Sequence, residues 1–182
     1  MTVPEKKPQI DISTANYRLL MMSPAMVTNA WVEWTNEPAV MEPLNVRAMK
    51  LTKADLQRYV AVSHAQKKAV VGIFRRRGEQ QIGIYEIALD QQHMNASIEI
   101  LVDTRKNNFE RVVSETIQPL IDYLQKRFGI GKFAAMVPET YSDSLRFFGN
   151  SKWELEGVLR EELPSLLEGE RISVYQFGLI VK

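Results

Sequence analysis

The chain has 182 residues and a mass of 20.9 kDa, long enough for one domain with a sizeable core and too short for two ordinary ones. Its 23 lysines and arginines against 22 aspartates and glutamates leave a net charge of +1, so no whole-surface field exists to hold a nucleic-acid backbone or an anionic bilayer. The absence of cysteine removes disulfides, cysteine nucleophiles and thiolate zinc sites, and two histidines do not support a histidine-rich metal centre. No apolar run approaches the roughly 20 residues that cross a bilayer, and no cleavable apolar segment opens the chain. The expectation is a soluble cytoplasmic protein with no metal and neither nucleic-acid nor membrane partners.

Residues 1–12 read as a flexible leader, with two prolines and a Glu5-Lys6-Lys7 cluster, and residues 13–182 as a single domain. A strand is predicted at Tyr17–Met22. Ser23-Pro24 then supplies an N-cap and a first-turn proline, and Val27, Ala30, Trp31 and Trp34 follow at helical spacing to about Thr35. Pro38 and Pro43 make residues 36–45 a loop. A second helix starts at Thr52, boxed by Asp55, with Leu56, Tyr59 and Val60 facing inward. Three strand-like runs come next, Ala69–Arg75, Gln81–Asp90 and Asn95–Asp103. Their connections are too short for crossovers, so they form an antiparallel meander.

The longest helix is predicted over Asn108–Phe128, with one apolar face, Pro119 inside it and Gly129 as its stop. Lys132–Val137 reads as a strand reached by that crossover, hence parallel to the strand before the helix. Ser142–Phe148 is a short helix, and Trp153–Glu162 with Arg171–Val181 is a final strand pair. The order is β-α-α-β-β-β-α-β-α-β-β, an α/β fold whose mixed, largely antiparallel central sheet carries helices on both faces.

Three strings occur within this succession: Trp34-Thr35-Asn36-Glu37-Pro38-Ala39-Val40-Met41, the run Leu51-Thr52 through Tyr59-Val60, and Glu156-Gly157-Val158-Leu159-Arg160-Glu161. With the element order they resemble the GNAT acyltransferases, in particular the branch of N-terminal-alanine acetyltransferases of ribosomal proteins. The resemblance runs from about Tyr17 to Val181. It implies an N-acetyltransferase that uses acetyl-CoA as acyl donor and transfers the group directly to a primary amine in a ternary complex. The acceptor would be a small-molecule amine or a protein N-terminus, and the last strand pair is where such subunits join as homodimers. Acetyl-CoA would lie in a split between Asn95–Asp103 and Lys132–Val137. There the main chain of Ile100, Leu101 and Val102 would pair with the pantetheine arm and polarise the thioester oxygen.

The family's diphosphate motif, Q/R-x-x-G-x-G/A, meets Arg105-Lys106-Asn107-Asn108-Phe109-Glu110 here. Arg105 takes the first position, while Asn108 and Glu110 stand where the family has glycine or alanine. No glycine occurs between Gly83 and Gly129 to repair the register. Asn107 or Asn108 could adopt a glycine-like left-handed backbone, and Arg105, Lys106 and Arg111 could replace bare amides as phosphate ligands. The family's N-x-x-S on the next helix matches only at Ser144, with Tyr141 replacing the asparagine. Phe147 and Phe148 stand where many members carry a proton-donating tyrosine. An acid would then be Ser144, Ser142 or Tyr141; the alternative is that the serines cap the helix and the phenylalanines are core.

Glu86 and Glu99, mid-strand acids on a covered sheet, are the candidates for a base; equally they could face solvent or pair with basic side chains. Trp31 and Trp34 stand where the family builds its acceptor wall, or anchor the core, or both. The Arg75-Arg76-Arg77 run reads as a solvated hairpin end. The departures at Asn108, Glu110, Tyr141, Phe148 and Lys152 leave a second reading open: a non-catalytic binding or assembly protein that keeps the scaffold without the cofactor.

Overall fold

Strand runs with apolar residues on both faces, as in Val70-Val71 and Ile84 beside Tyr85, demand a sheet covered twice. In the computed structural model, which describes residues 9–167 and 169–182, eight strands form one sheet. They are β1 Asp11–Ser13, β2 Tyr17–Met21, β3 Lys68–Arg75, β4 Gln81–Asp90, β5 Asn95–Val102, β6 Lys132–Pro138, β7 Glu154–Pro164 and β8 Arg171–Ile180. Their spatial order is β1-β2-β3-β4-β5-β6-β8-β7. Every neighbouring pair is antiparallel except β5 with β6, as the crossover requires. The α-helices of the described residues are α1 Asn29–Thr35, α2 Pro38–Met41, α3 Lys53–Ala65, α4 Phe109–Phe128 and α5 Ser142–Gly149.

Period-two alternation sorts the strand residues between two cores. Tyr85, Ile87, Ile98, Ile100 and Val102 pack beneath α4 and α5. Ile84 and Leu101 pack on the other face with Trp31, Trp34, Leu56 and Val60 from α1 and α3. The helix ends follow their local chemistry. Thr52 and Asp55 form a reciprocal capping box, Asn108 accepts from the Arg111 N–H at the start of α4, and Gly129 ends α4 at φ 71°. The α4 helix runs through Pro119 without interruption.

Three expectations need correction. The helix predicted from Ser23 is two pieces, a 3-10 turn at Pro24–Met26 and then α1, because Thr28 caps the Trp31 N–H while the Ser23 side chain caps nothing. The predicted loop at 36–45 holds α2 and a 3-10 turn at Glu42–Leu44; both prolines sit in first turns, where they cost no hydrogen bond. Of the expected leader, residues 1–8 lie outside the described residues. Its last part is built into the fold: Ile10 is buried and Asp11–Ser13 pair with β2, held by an Asp11–Arg18 bridge of 2.7 Å.

Gly83 marks a close approach of β4 to β5, since a Cβ there would lie 2.5 Å from the Leu101 carbonyl oxygen. Gly83→Ala is expected to cost about 1–3 kcal/mol of stability, read from urea unfolding, because main chain must shift to admit the methyl group.

Candidate functional site

The parallel pair β5–β6 is short. Residues 95–97 of β5 pair with residues 132–134 of β6, and beyond Ser97 the strands part. From there β6 pairs only with β8, as far as Pro138, while Ile98–Val102 keep β4 on one side and have no strand on the other. The split predicted between these segments is therefore present.

On the α1–α3 face the same stretch of β5 forms a wall of a cavity of about 280 Å³. Ile100 and Leu101 line it with Trp31, Met41, Leu51, Leu56 and the ring of Tyr59, and Glu86 and Glu99 are its charged groups. The two carboxylates are cross-strand partners on β4 and β5, which puts both on one face. Glu86 is buried and satisfied: it accepts from Tyr59 Oη, from Lys68 Nζ at 2.5 Å and from Ser63 Oγ at 3.5 Å. The bond from Lys68 to Glu86 holds the ammonium pKa up, and burial beside that carboxylate raises the Tyr59 phenol. Glu99 has no bonded partner among the described residues and reaches solvent at the cavity mouth. Desolvation by the apolar wall, then the Glu86 charge, raise its pKa, with Lys68 opposing.

The outer rim of the cavity is the turn after α2, carrying Leu44 and Val46. Asn45, in the left-handed region at φ 58°, fastens this turn to the β7–β8 hairpin, donating to the Pro164 carbonyl and accepting from the Leu166 N–H. Thr140, just past β6, donates to the Pro43 carbonyl.

No protein-family model and no curated protein sequence matches the chain. Solved structures do. They include a GNAT-family acetyltransferase from Bacillus anthracis at 16% identity, covering 94% of this chain and 98% of that one with a TM-score of 0.75. Another is the Salmonella typhimurium acetyl transferase that modifies the N-terminal serine of 50S ribosomal subunit protein L7/L12, at 15%, 93%, 97% and 0.75. A third is RimL, the ribosomal L7/L12 α-N-protein acetyltransferase, in complex with coenzyme A, at 14%, 94%, 98% and 0.78. The chain has the GNAT fold.

In GNAT terms the donor site divides into a part that fits and a part that does not. The thioester end fits, because the edge of β5 beyond Ser97 is free of strand pairing. The diphosphate end does not. Arg105, predicted as a phosphate ligand, is gripped by Asp103 at 2.8 and 3.0 Å, with Glu37 at 3.1 Å and Glu33 at 3.5 Å. Lys106 pairs with Glu33 at 3.6 Å. Asn108 is extended at φ −82°, ψ 117°, not left-handed, and its side chain already caps the Arg111 N–H. Asn107 is also outside the left-handed region and donates to the Asp103 carbonyl at 2.7 Å. Glu110 is exposed in the first turn of α4.

The remaining predicted residues divide between wall and plug. Trp31 lines the cavity and stacks on Trp34, centroids 6.1 Å apart; Trp34 belongs to the core. Phe109, at the start of α4, meets Tyr141 at 5.4 Å and Phe147 at 6.3 Å, edge to face, and all three are buried. These rings join α4 to α5 across the wide end of the split. Tyr141 Oη is buried, faces the Val102 N–H and finds no well-formed hydrogen bond, and burial raises its pKa. Ser144 is buried in α5, and no side chain caps that helix at its N-cap residue, Tyr141, so the capping alternative for the serines fails there. Phe148 is core, between Trp153 and Phe177.

Sequence reasoning did not find the Tyr59–Lys68–Ser63 cradle around Glu86, nor the acidic grip on Arg105. Register supplies the first: Lys68 and Glu86 come together only once β3 pairs with β4.

The raised pKa of Glu99 has a thermodynamic sign. On raising the pH, the unfolded chain releases this proton first, so ionisation penalises the folded state across the carboxyl range and above it. Glu99→Gln is expected to raise Tm at neutral pH, with the gain vanishing at about pH 3, where the carboxyl is neutral in both states; differential scanning calorimetry at the two pH values reads it.

Proposed function

We propose that the protein is an N-acetyltransferase that moves an acetyl group from acetyl-CoA to a primary α-amine borne on a small apolar group, by direct transfer in a ternary complex. The observation that carries this reading is the sharing of Ile100 and Leu101: the unpaired edge of β5 is also a wall of the cavity that holds Glu86 and Glu99. Bound acyl-CoA supplies an activated acyl group. The residues of this chain supply the rest. Trp31, Met41, Leu51 and Leu56 take the apolar body of the acceptor, and the carboxylate pair attracts its ammonium.

Glu99 is the group that takes the ammonium proton, because Glu86 is already occupied by Tyr59 and Lys68. An upward-shifted carboxyl is also the better base. The demand on it is small for an α-amine: deprotonation at pH 7 costs about 1.4 kcal/mol for a pKa near 8, against about 4.6 kcal/mol for a lysine. The L7/L12 specificity of the similar structures agrees with a protein N-terminus as one such acceptor. We place the enzyme in the cytoplasm and propose a homodimer formed along β7, where Leu155, Val158 and Leu159 are exposed.

A second reading is favoured by the Phe109–Tyr141–Phe147 rings and the occupied Arg105: an amine-binding module of GNAT fold that does not take the cofactor. Calorimetry with acetyl-CoA separates the two. The transferase binds it saturably and releases free thiol when a peptide with an unblocked Met or Leu terminus is added. Glu99→Gln lowers kcat/KM by about a hundredfold. Absence of heat at about millimolar acetyl-CoA leaves the second reading standing.

A further inference from the structure

The cavity between β5 and the α1–α3 layer holds two carboxylates, yet it shows a guest one unmatched charge. Glu86 and Glu99 stand side by side on β4 and β5. Glu86 is matched from behind the wall. Lys68, the first residue of β3, places its ammonium 2.5 Å from one carboxylate oxygen, while Tyr59 and Ser63 of α3 donate to the other. Register explains the pair: Lys68 stands opposite Ala88 and Val70 opposite Glu86, so the lysine reaches one step along the same face of the sheet to meet the acid.

Lys68 lies outside the lining, and its charge acts on the cavity through the two carboxylates. Two carboxylates and one ammonium leave a single negative charge, borne by Glu99. No other charged side chain lines the cavity. Its two hydroxyls are already bonded, Thr35 to the Trp31 carbonyl and Tyr59 to Glu86. The remaining wall is apolar, with Trp31 and Tyr59 meeting edge to face at 6.2 Å. One ammonium on a guest therefore finds a partner in Glu99. A second would meet an apolar surface and the field of Lys68, and an unpaired buried charge is costly. The lysine is not needed to fill the core, since its side chain is 36% exposed against 10% for Glu86. A pair of this kind adds little to stability, but it decides what charge the cavity shows.

We infer that Lys68 sets the charge selectivity of the cavity: with Glu86 matched, the site admits an amine carrying one positive charge and turns away an amine carrying two. The inference rests on the amine-binding reading of this cavity. It narrows the acceptor to a monocation with an apolar body, such as a chain terminus whose first side chain is uncharged. Diamines and polyamines are excluded by the same charge count.

Two matched probes test this without acetyl-CoA: n-pentylamine, and cadaverine, which has the same five-carbon chain with an ammonium at both ends. Each is titrated into the full chain at low salt and about pH 8, where both probes are protonated, with binding read by tryptophan fluorescence and calorimetry. The parent protein is expected to prefer pentylamine about tenfold or more. Lys68→Met is expected to erase or reverse that preference, because Glu86 is then free for a second ammonium, and Lys68→Arg to keep it. Lys68→Met combined with Glu86→Gln is expected to restore the parent's preference, since the double variant returns the cavity to one negative charge. Circular dichroism checks that each variant is folded. Equal or tighter binding of cadaverine by the parent, or an unchanged preference in Lys68→Met, overturns the inference and leaves the monoamine site and the transferase reading standing. Saturable binding of neither amine at about ten millimolar removes the acceptor cavity itself, and the inference with it.

Discussion

The parting of β5 from β6 after three residue pairs is the constraint on which the site depends. A sheet of eight strands could have continued that ladder; instead β6 turns its whole length to β8. Among the described residues, the unpaired run of β5 is then central backbone that faces something other than a strand. Its side chains still alternate, so Ile98, Ile100 and Val102 anchor one core while Glu99 and Leu101 serve the opposite face. One strand thus supplies main chain to the split and side chains to the cavity.

Two carboxylates side by side on such a strand pair behave differently because their surroundings differ. Glu86 is enclosed by a phenol, an ammonium and a hydroxyl, which satisfy its oxygens and fix its position. Glu99 lacks such partners, so its charge is opposed by the apolar wall and by Glu86 itself. One acid is held in place, and the other carries a raised pKa.

Much of the fold was legible because the strands and long helices are locally consistent. The capping box at Thr52, the Gly129 stop and the meander from β3 to β5 were readable from spacing and turn chemistry. The first helix was not, since Ser23-Pro24 and Thr28 are both good starts and only packing chooses between them. The weak diphosphate motif was legible as a departure, but not its cause. Arg105 looked available in sequence because Glu33 and Glu37 lie about seventy residues earlier and meet it only in the folded chain. The arginine run at 75–77 was legible as charge, while its meeting with Lys106 and Arg111 is a product of topology.

The Asn45 joint has a consequence for how the cavity is shaped over evolution. Since the cavity's outer lip hangs from the tip of the final hairpin, substitutions near Pro164 and Leu166 would reshape the entrance without altering any side chain that lines it. The opening could then drift through the remote end of the polypeptide while Glu86 and Glu99 stayed fixed.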